Sequence, residues 1–365
     1  MFRTCSQRVG AVNRNCAGID LPIGSSCTAA LNPSFTDTWG DSMKHAACLF
    51  LILVLSCVVS TVGAADAGSN YPNRPIRIID SFVPGGPSDI LSRLLGQKLT
   101  ESWGQPVIVE NRGSAGGIVG FEIASKAQPD GYTLLMAPQA PLTINPSVYI
   151  KLPYDPLRDF QPVTQISSAA YMMVVHPSVP AKSVPEFIAL AKAKPGQLNY
   201  ASTGANNLLA MEQFNYMAGV KTVNIAYKGT GQAVQALLSG EVQAFIISPL
   251  VGLPQVKAGK LRVIGVTGLK RSPTLPDVPA VAETLPGFES IVWHGVVVPS
   301  KTPQPIVAKL SQELMRIARL PDVRERLNSQ GLDVVGSTPE EFSALIKSEI
   351  GVFAKLVKQI GFQPQ

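Results

Sequence analysis

The chain has 365 residues, enough for two domains at roughly 150 residues each. Apolar residues make up 45% and charged residues 15%, so a disordered or collagen-like chain is excluded and a sizeable core is expected. The formal charge of +6 is spread along the chain without a Lys/Arg block, which excludes the phosphate-neutralising surface of a nucleic-acid binder.

Cys48 to Val59 (CLFLILVLSCVV) is an apolar stretch too short for a membrane-spanning helix and of the length of a signal-peptide core. Lys44 and His45 after Met43 supply the positive flank, and the small residues Gly63, Ala64, Ala65 and Ala67 offer cleavage sites. Residues 43–65 are therefore read as a cleavable signal peptide and residues 1–42 as an over-extended reading frame. All five cysteines (Cys5, Cys16, Cys27, Cys48, Cys57) precede residue 58, so the exported chain has no disulfide framework. Only His176 and His294 remain after processing. That excludes Cys/His zinc sites and Cys–His catalysis, and no Gly-x-Ser-x-Gly elbow accompanies the histidines. Both are expected as ordinary hydrogen-bonded residues, with no catalytic group, metal or cofactor.

The first element is a β-branched run, Ile76 to Ile79, followed by PGGPSD (84–89) and a stretch with Leu91, Leu94, Leu95 and Leu99 at helical spacing. A second strand at Val107 to Glu110 leads through a Gly-rich loop into a helix reaching Ala127, and a third lies at Tyr132 to Met136. The middle of the chain repeats the scheme. Strands are expected at Met172 to Val175, Leu198 to Ala201, Val242 to Ile247, Leu261 to Val266 and Val296 to Val298. Helices are expected over Pro185 to Ala193, Leu208 to Ala218 and Gln232 to Ser239. In the C-terminal third, Ile306, Val307, Leu310, Leu314 and Ile317 share one stripe, and Thr338-Pro339-Glu340-Glu341 is a capping box with proline at the first helical position. Strands alternating with helices imply an α/β fold with two lobes, each a mostly parallel sheet flanked by helices.

Each Gly-rich loop joins the carboxyl end of a strand to the start of a helix, where open α/β sheets bind ligands and where unpaired N–H groups favour anions. Gly86 is the expected N-cap of the first helix, Pro87 its first residue, and Asp89 is placed to reach back to loop amides. The sequence Ala115-x-Gly117-x-x-Gly120 misses the dinucleotide fingerprint by its first glycine, so Gly117 and Gly120 are read as close packing of helix on sheet.

Six motifs in order, PGGPSD (84–89), VENR-x-x-AGG (109–117), PDGYTLLM (129–136), INPSVY (144–149), AYKGTGQA (226–233) and RSPTLPDVPAVAE (271–283), resemble the Bug-type periplasmic receptors, the substrate-binding proteins of tripartite tricarboxylate transporters. The resemblance covers essentially the whole exported chain. It implies a type II periplasmic binding protein that captures a small organic acid between its lobes and delivers it to a membrane permease, as a monomer and without catalysis. A sensory receptor signalling to a membrane kinase is the alternative, and a secreted α/β hydrolase a more distant one. The implied lobes are 71–171 with 295–365, and 172–294. From the first lobe the resemblance places Pro84, Gly85, Gly86, Ser88 and Asp89, then Pro138, Gln139 and Ala140, against the ligand. From the second it places Ser202, Thr203, Gly204, Asn206 and Asn207, then Tyr227, Gly229 and Thr230, and finally Ser248.

Three positions depart from the family pattern. The loop that usually runs Gly-x-Gly-Ser/Thr-x-x-His reads Gly204-Ala-Asn-Asn-Leu-Leu, the aspartate common before Ser248 is Ile247, and the usually hydroxyl-rich loop after the third strand is Pro138-Gln139-Ala140. These changes replace small hydroxyl or acidic groups with amide and apolar ones, so a ligand with a less polar distal part, aromatic or amide-bearing, is expected. Lys228 is read as a surface turn residue and Trp293 as packing near the return between lobes.

Overall fold

The structure, a computed structural model, describes residues 70–364. The expected signal peptide and the 42 residues before it lie outside the described residues.

Two sheets account for the strands. β1 (Ile76–Asp80), β2 (Val107–Asn111) and β3 (Thr133–Pro138) form the parallel part of the first, whose order is β11-β4-β10-β3-β1-β2. β4 (Phe160–Ala170), β10 (Ile291–Pro299) and the two-residue β11 (Asp333–Val334) form its antiparallel part. The second sheet has the order β7-β6-β8-β5-β9, from β5 (Met172–Val175), β6 (Asn199–Ser202), β7 (Val223–Ala226), β8 (Ala244–Ile247) and β9 (Arg262–Val266). Here β6, β7 and β8 are parallel, and β5 runs antiparallel to both β8 and β9. The expectation of mostly parallel sheets therefore needs correction: each sheet is mixed. The antiparallel strands β4, β5 and β10 are those that carry the chain between sheets, and they arrive without a βα crossover to set a parallel direction.

β4 was not legible in the sequence because its polar residues are satisfied only by distant chain. Thr164 donates its hydroxyl proton to the Ser337 carbonyl at 2.7 Å, and the Ser337 hydroxyl accepts the Gln165 N–H at 3.0 Å. β10 enters the first sheet at Ile291, paired with Ala170. Residues 291–294, expected with the second lobe, thus belong to the first sheet.

Strand alternation sorts the core. Ile78, Leu134, Met136, Val296 and Val298 face one layer, where α1 (Pro87–Trp103) buries Leu91, Leu94, Leu95 and Leu99, and a C-terminal helix (Gln304–Ala318) presents the stripe Ile306 to Ile317. Ile79, Leu135, Ala137, Trp293 and Val297 face the opposite layer, held by α2 (Ile118–Ser125) and a second C-terminal helix (Pro339–Gln359) through Phe121 and Phe342. At about 1.5–3 kcal/mol per buried leucine, valine or phenylalanine, these two layers are the main stabilising contribution. Thr338 caps the last helix as its spacing implied, accepting Glu341 N–H while the Glu341 carboxylate accepts Thr338 N–H.

In chain order the remaining helices are α3 (Asn145–Val148), α4 (Val184–Ala193), α5 (Ala205–Ala218), α6 (Thr230–Leu238), α7 (Pro249–Lys257), α8 (Gln304–Ala318), α9 (Pro321–Ser329) and α10 (Pro339–Gln359). α5 starts three residues before the expected Leu208, with Gly204 as N-cap. α7 was not expected, and it carries Pro254 within it.

Candidate ligand-binding cleft

Four helices begin at one cleft. Gly86 caps α1, Gly204 caps α5, Gly229 caps α6 and Ser248 caps α7, and all four residues line the same cavity. None of these caps accepts an N–H through its side chain, in contrast to Ser183, whose hydroxyl accepts Glu186 N–H at the start of α4. Each start leaves backbone donors open and the positive end of a helix dipole directed at the cavity. The first sheet supplies one of them and the second sheet three, so the site exists only where the two lobes meet.

The cavity has a volume of about 70 Å³. Its apolar wall comes from Phe82, Val83, Pro138, Tyr171 and Val292 and, across the cleft, Phe245 and Ile247. No lysine, arginine, aspartate or glutamate lines it. Of the polar side chains around it, several are already engaged. Ser88 donates to Asp80 Oδ1 at 2.9 Å. Asn207 donates to the Ile246 carbonyl at 2.7 Å and accepts the Thr203 hydroxyl proton at 2.9 Å. Asn206 donates to Gln139 Oε1 at 2.8 Å and hydrogen-bonds the buried Tyr171 hydroxyl. The Ser248 hydroxyl and His294 Nδ1 are buried without a partner.

The lobes touch around this cavity. A Cβ on Gly86 would lie 3.9 Å from the Thr230 hydroxyl, and one on Gly204 would lie 4.0 Å from the Phe82 ring. A Cβ on Gly229 would overlap the Val83 side chain.

Among the residues that the sequence placed at the ligand, Gly86, Ser88, Pro138, Thr203 and Gly204 line the cavity, as do Asn206, Asn207, Gly229, Thr230 and Ser248. Seven do not. Asp89 is turned to its own loop, accepting Gly85 N–H at 3.0 Å, the Asn111 amide at 3.0 Å and the Arg93 guanidinium. Burial works to raise its pKa, and the bonds from Arg93, Gly85 and Asn111 outweigh it, leaving the carboxylate below its ordinary value. Gly85 is the left-handed residue of that turn, at φ 85°, and Pro84 sits on the outer rim with Lys228. Ala140 is core, packed with Ile144, Ala205 and Leu209. Ser202 and Tyr227 line a neighbouring cavity, and the Tyr227 hydroxyl donates to Glu241 of the outer rim at 2.8 Å. Gln139 points behind the cleft, donating to both Glu349 oxygens at 3.0 Å. Glu349 also accepts Trp293 Nε1–H at 3.0 Å and the Thr143 hydroxyl at 3.1 Å, and burial raises its pKa against these three donors.

Phe82, Val83, Tyr171, Phe245, Val292 and His294 line the cavity without having been expected there, while Pro87 inside the PGGPSD loop and Ile247 beside Ser248 line it as those segments implied. Phe82, Val83 and Pro87 adjoin or lie within the PGGPSD motif and were findable from it. Tyr171, Val292 and His294 lie where the chain passes between sheets, a position no local pattern marks. His294 corrects the expectation of an ordinary hydrogen-bonded residue: burial alone pushes its pKa down to about 4, leaving a neutral ring. His176 meets that expectation, with Nδ1 2.7 Å from the Ser178 hydroxyl. Trp293 is packing, edge-on to Phe342 at 5.2 Å.

A family model described as the tripartite tricarboxylate transporter family receptor matches residues 91–362. The chain belongs to that family. It is 34% identical to protein BugT of Bordetella pertussis over 317 residues, covering 85% of this chain and 97% of BugT. Rpa4515 of R. palustris, solved with adipate, superposes with a TM-score of 0.79 at 30% identity, covering 81% of this chain and all of that one. MatC of Rhodopseudomonas palustris, solved with malate, superposes with a TM-score of 0.75 at 30% identity, covering 79% of this chain and all of that one. Receptors of this family are periplasmic solute-binding proteins rather than enzymes, with the two-lobed type II fold, and the cleft is correspondingly a binding site. Among the described residues no cluster of metal-ligating side chains occurs, and no helix is long and apolar enough to cross a membrane.

Proposed function

We propose that this chain is a periplasmic receptor that encloses a small organic acid in the cleft and hands it to the membrane permease of a tripartite tricarboxylate transporter. The single observation that carries the reading is the convergence of four helix starts without side-chain caps on one cavity that has no cationic side chain. Burying a carboxylate costs several kcal/mol unless it is hydrogen-bonded, and each charge-assisted N–H bond returns about 1.5–3 kcal/mol. Backbone donors from both lobes supply those bonds. Adipate in Rpa4515 and malate in MatC support a carboxylate as the ligand class. The apolar wall of Phe82, Val83, Tyr171, Phe245, Ile247 and Val292 favours an acid with an apolar body over a tricarboxylate or an acidic amino acid. The receptor acts as a monomer whose closure around the acid changes the surface offered to the permease.

A thermal-shift screen of the purified protein, unfolded and refolded to remove bound ligand, tests this against aliphatic and aromatic acids, tricarboxylates, amino acids and sugars. Ligand at about 100 times its Kd adds about 2.7 kcal/mol, several degrees for a chain of this size. A shift confined to apolar-bodied acids supports the reading; a shift with citrate, aspartate or sugars alone overturns it.

A further inference from the structure

Two polar side chains in the cleft have nothing to bind. Ser248 is 5% exposed and His294 3% exposed; both line the cavity, and both Ser248 Oγ and His294 Nδ1 are buried without a hydrogen-bond partner. They come from opposite sides: Ser248 follows β8 of the second sheet and caps α7, and His294 lies in β10 of the first, between Pro138 and Ser167. A buried polar atom left unpaired is destabilising, and two such atoms face one ligand cavity. The cleft's other polar side chains offer an instructive contrast, since Ser88, Asn206 and Asn207 are engaged by protein groups.

We propose that Ser248 and His294 receive a hydroxyl group on the ligand, so that the acid enclosed here is a hydroxy-substituted monocarboxylate whose hydroxyl lies away from its carboxylate. A hydroxyl is the smallest group that answers both orphans, because one oxygen donates to the ring nitrogen and accepts the serine proton. A second carboxylate is disfavoured at this end: with the helix starts already serving the first, its charge would meet no cation among the lining residues and a ring that burial holds neutral. An unsubstituted apolar end would leave both polar atoms desolvated and unpaired.

The inference rests on the reading of the cleft as a carboxylate site, and matched acids separate the two. Calorimetric titration of the stripped protein compares hexanoate, 6-hydroxyhexanoate and adipate, and in parallel benzoate, 4-hydroxybenzoate and terephthalate. In at least one series the hydroxy acid is expected to bind at least 10-fold more tightly than both partners. Ser248→Ala and His294→Phe are each expected to reduce that preference to 3-fold or less by weakening the hydroxy acid more than its unsubstituted partner. Both variants remove an unpaired polar atom, so folding is retained, and far-UV circular dichroism checks it. Equal binding of hydroxylated and unsubstituted acids, tighter binding of the diacids, or a preference that survives both substitutions overturns the hydroxyl assignment and leaves the carboxylate site standing. Failure of every acid to bind overturns both.

Discussion

Asn206 of the second lobe donates its side-chain amide to Gln139 Oε1 of the first across 2.8 Å, and the same Gln139 turns its own amide onto Glu349. This contact joins the lobes at the back of the ligand cavity, which Asn206 lines, while Gln139 belongs to the cavity behind it. It is a bond that opening of the cleft must break. Gln139→Ala is therefore expected to weaken ligand affinity about 3- to 10-fold by depopulating the closed form, with no change in which acid is preferred. Small-angle scattering checks the cause: the free variant should be more extended than the free wild type, and saturating ligand should bring both to the same dimensions.

Gly229→Ala tests how close the lobes must come. The φ of Gly229 is −169°, ordinary extended backbone, so alanine carries no conformational strain; its Cβ would instead overlap Val83 of the facing lobe. Thermal stability of the free protein should change little, while affinity falls at least 10-fold. Val83→Ala in the same chain should restore most of that loss, and additive effects of the two substitutions would show that the contact does not limit closure.

Asp80 and His294 give the fold opposite responses to pH. Burial raises the Asp80 carboxyl from 3.8 to about 6, against the hydrogen bonds it accepts from Phe82 N–H, Ser88 and Ser92. The folded state holds this proton more tightly than the unfolded chain, so the contribution is full below pH 4 and is lost, by about 3 kcal/mol, as pH rises through 6. For His294, lowered from 6.5 to about 4, the unfolded chain holds the proton more tightly. Its contribution is full above pH 6.5 and is lost, again by about 3 kcal/mol, as pH falls through 4. Urea unfolding between pH 4 and 7 should show stability rising with pH in Asp80→Asn, falling with pH in His294→Phe, and an intermediate slope in the wild type. Parallel profiles for the three proteins would contradict both assignments.

Gly295→Ala probes the packing of the first sheet. A Cβ there would overlap the Phe342 ring and approach the Thr164 carbonyl to 2.9 Å, and β10 is pinned between β3 and β4, so neither neighbour has room to yield. A loss of about 1–3 kcal/mol is expected, read as a lower urea midpoint with an unchanged m-value. Phe342→Leu should relieve part of it.

The elements that were legible from sequence are those whose stability is local or periodic. Leu91, Leu94, Leu95 and Leu99 announced α1, Ile306 to Ile317 announced α8, and Thr338 with Glu341 announced the start of α10; each is buried or bonded within its own helix or against the nearest strand. Half of the cleft was legible through the family resemblance, and its helix starts for a related reason. Glycine before a helix, at Gly86 and Gly229, marks a start without a side-chain cap whatever the tertiary fold. Gln139 shows where that reasoning ends: its loop follows a strand that leads toward the cleft, yet a π-helical turn over Ala140–Ile144 rotates the side chain behind it, where Glu349, 210 residues later, receives it.

By itself the sequence determined an α/β chain, the order of most of its strands and helices, the family motifs, and a set of helix starts suited to an anion. These follow from hydrophobic period and backbone donors, which need only neighbours a few residues away. The tertiary structure alone decided that the sheets are mixed, that Thr164 and Gln165 are satisfied by Ser337, and that Tyr171, Val292 and His294 wall the ligand cavity. Those residues lie where the chain passes from one sheet to the other. Their burial and their partners come from segments distant in sequence, so only the meeting of the two lobes gives them a common surface.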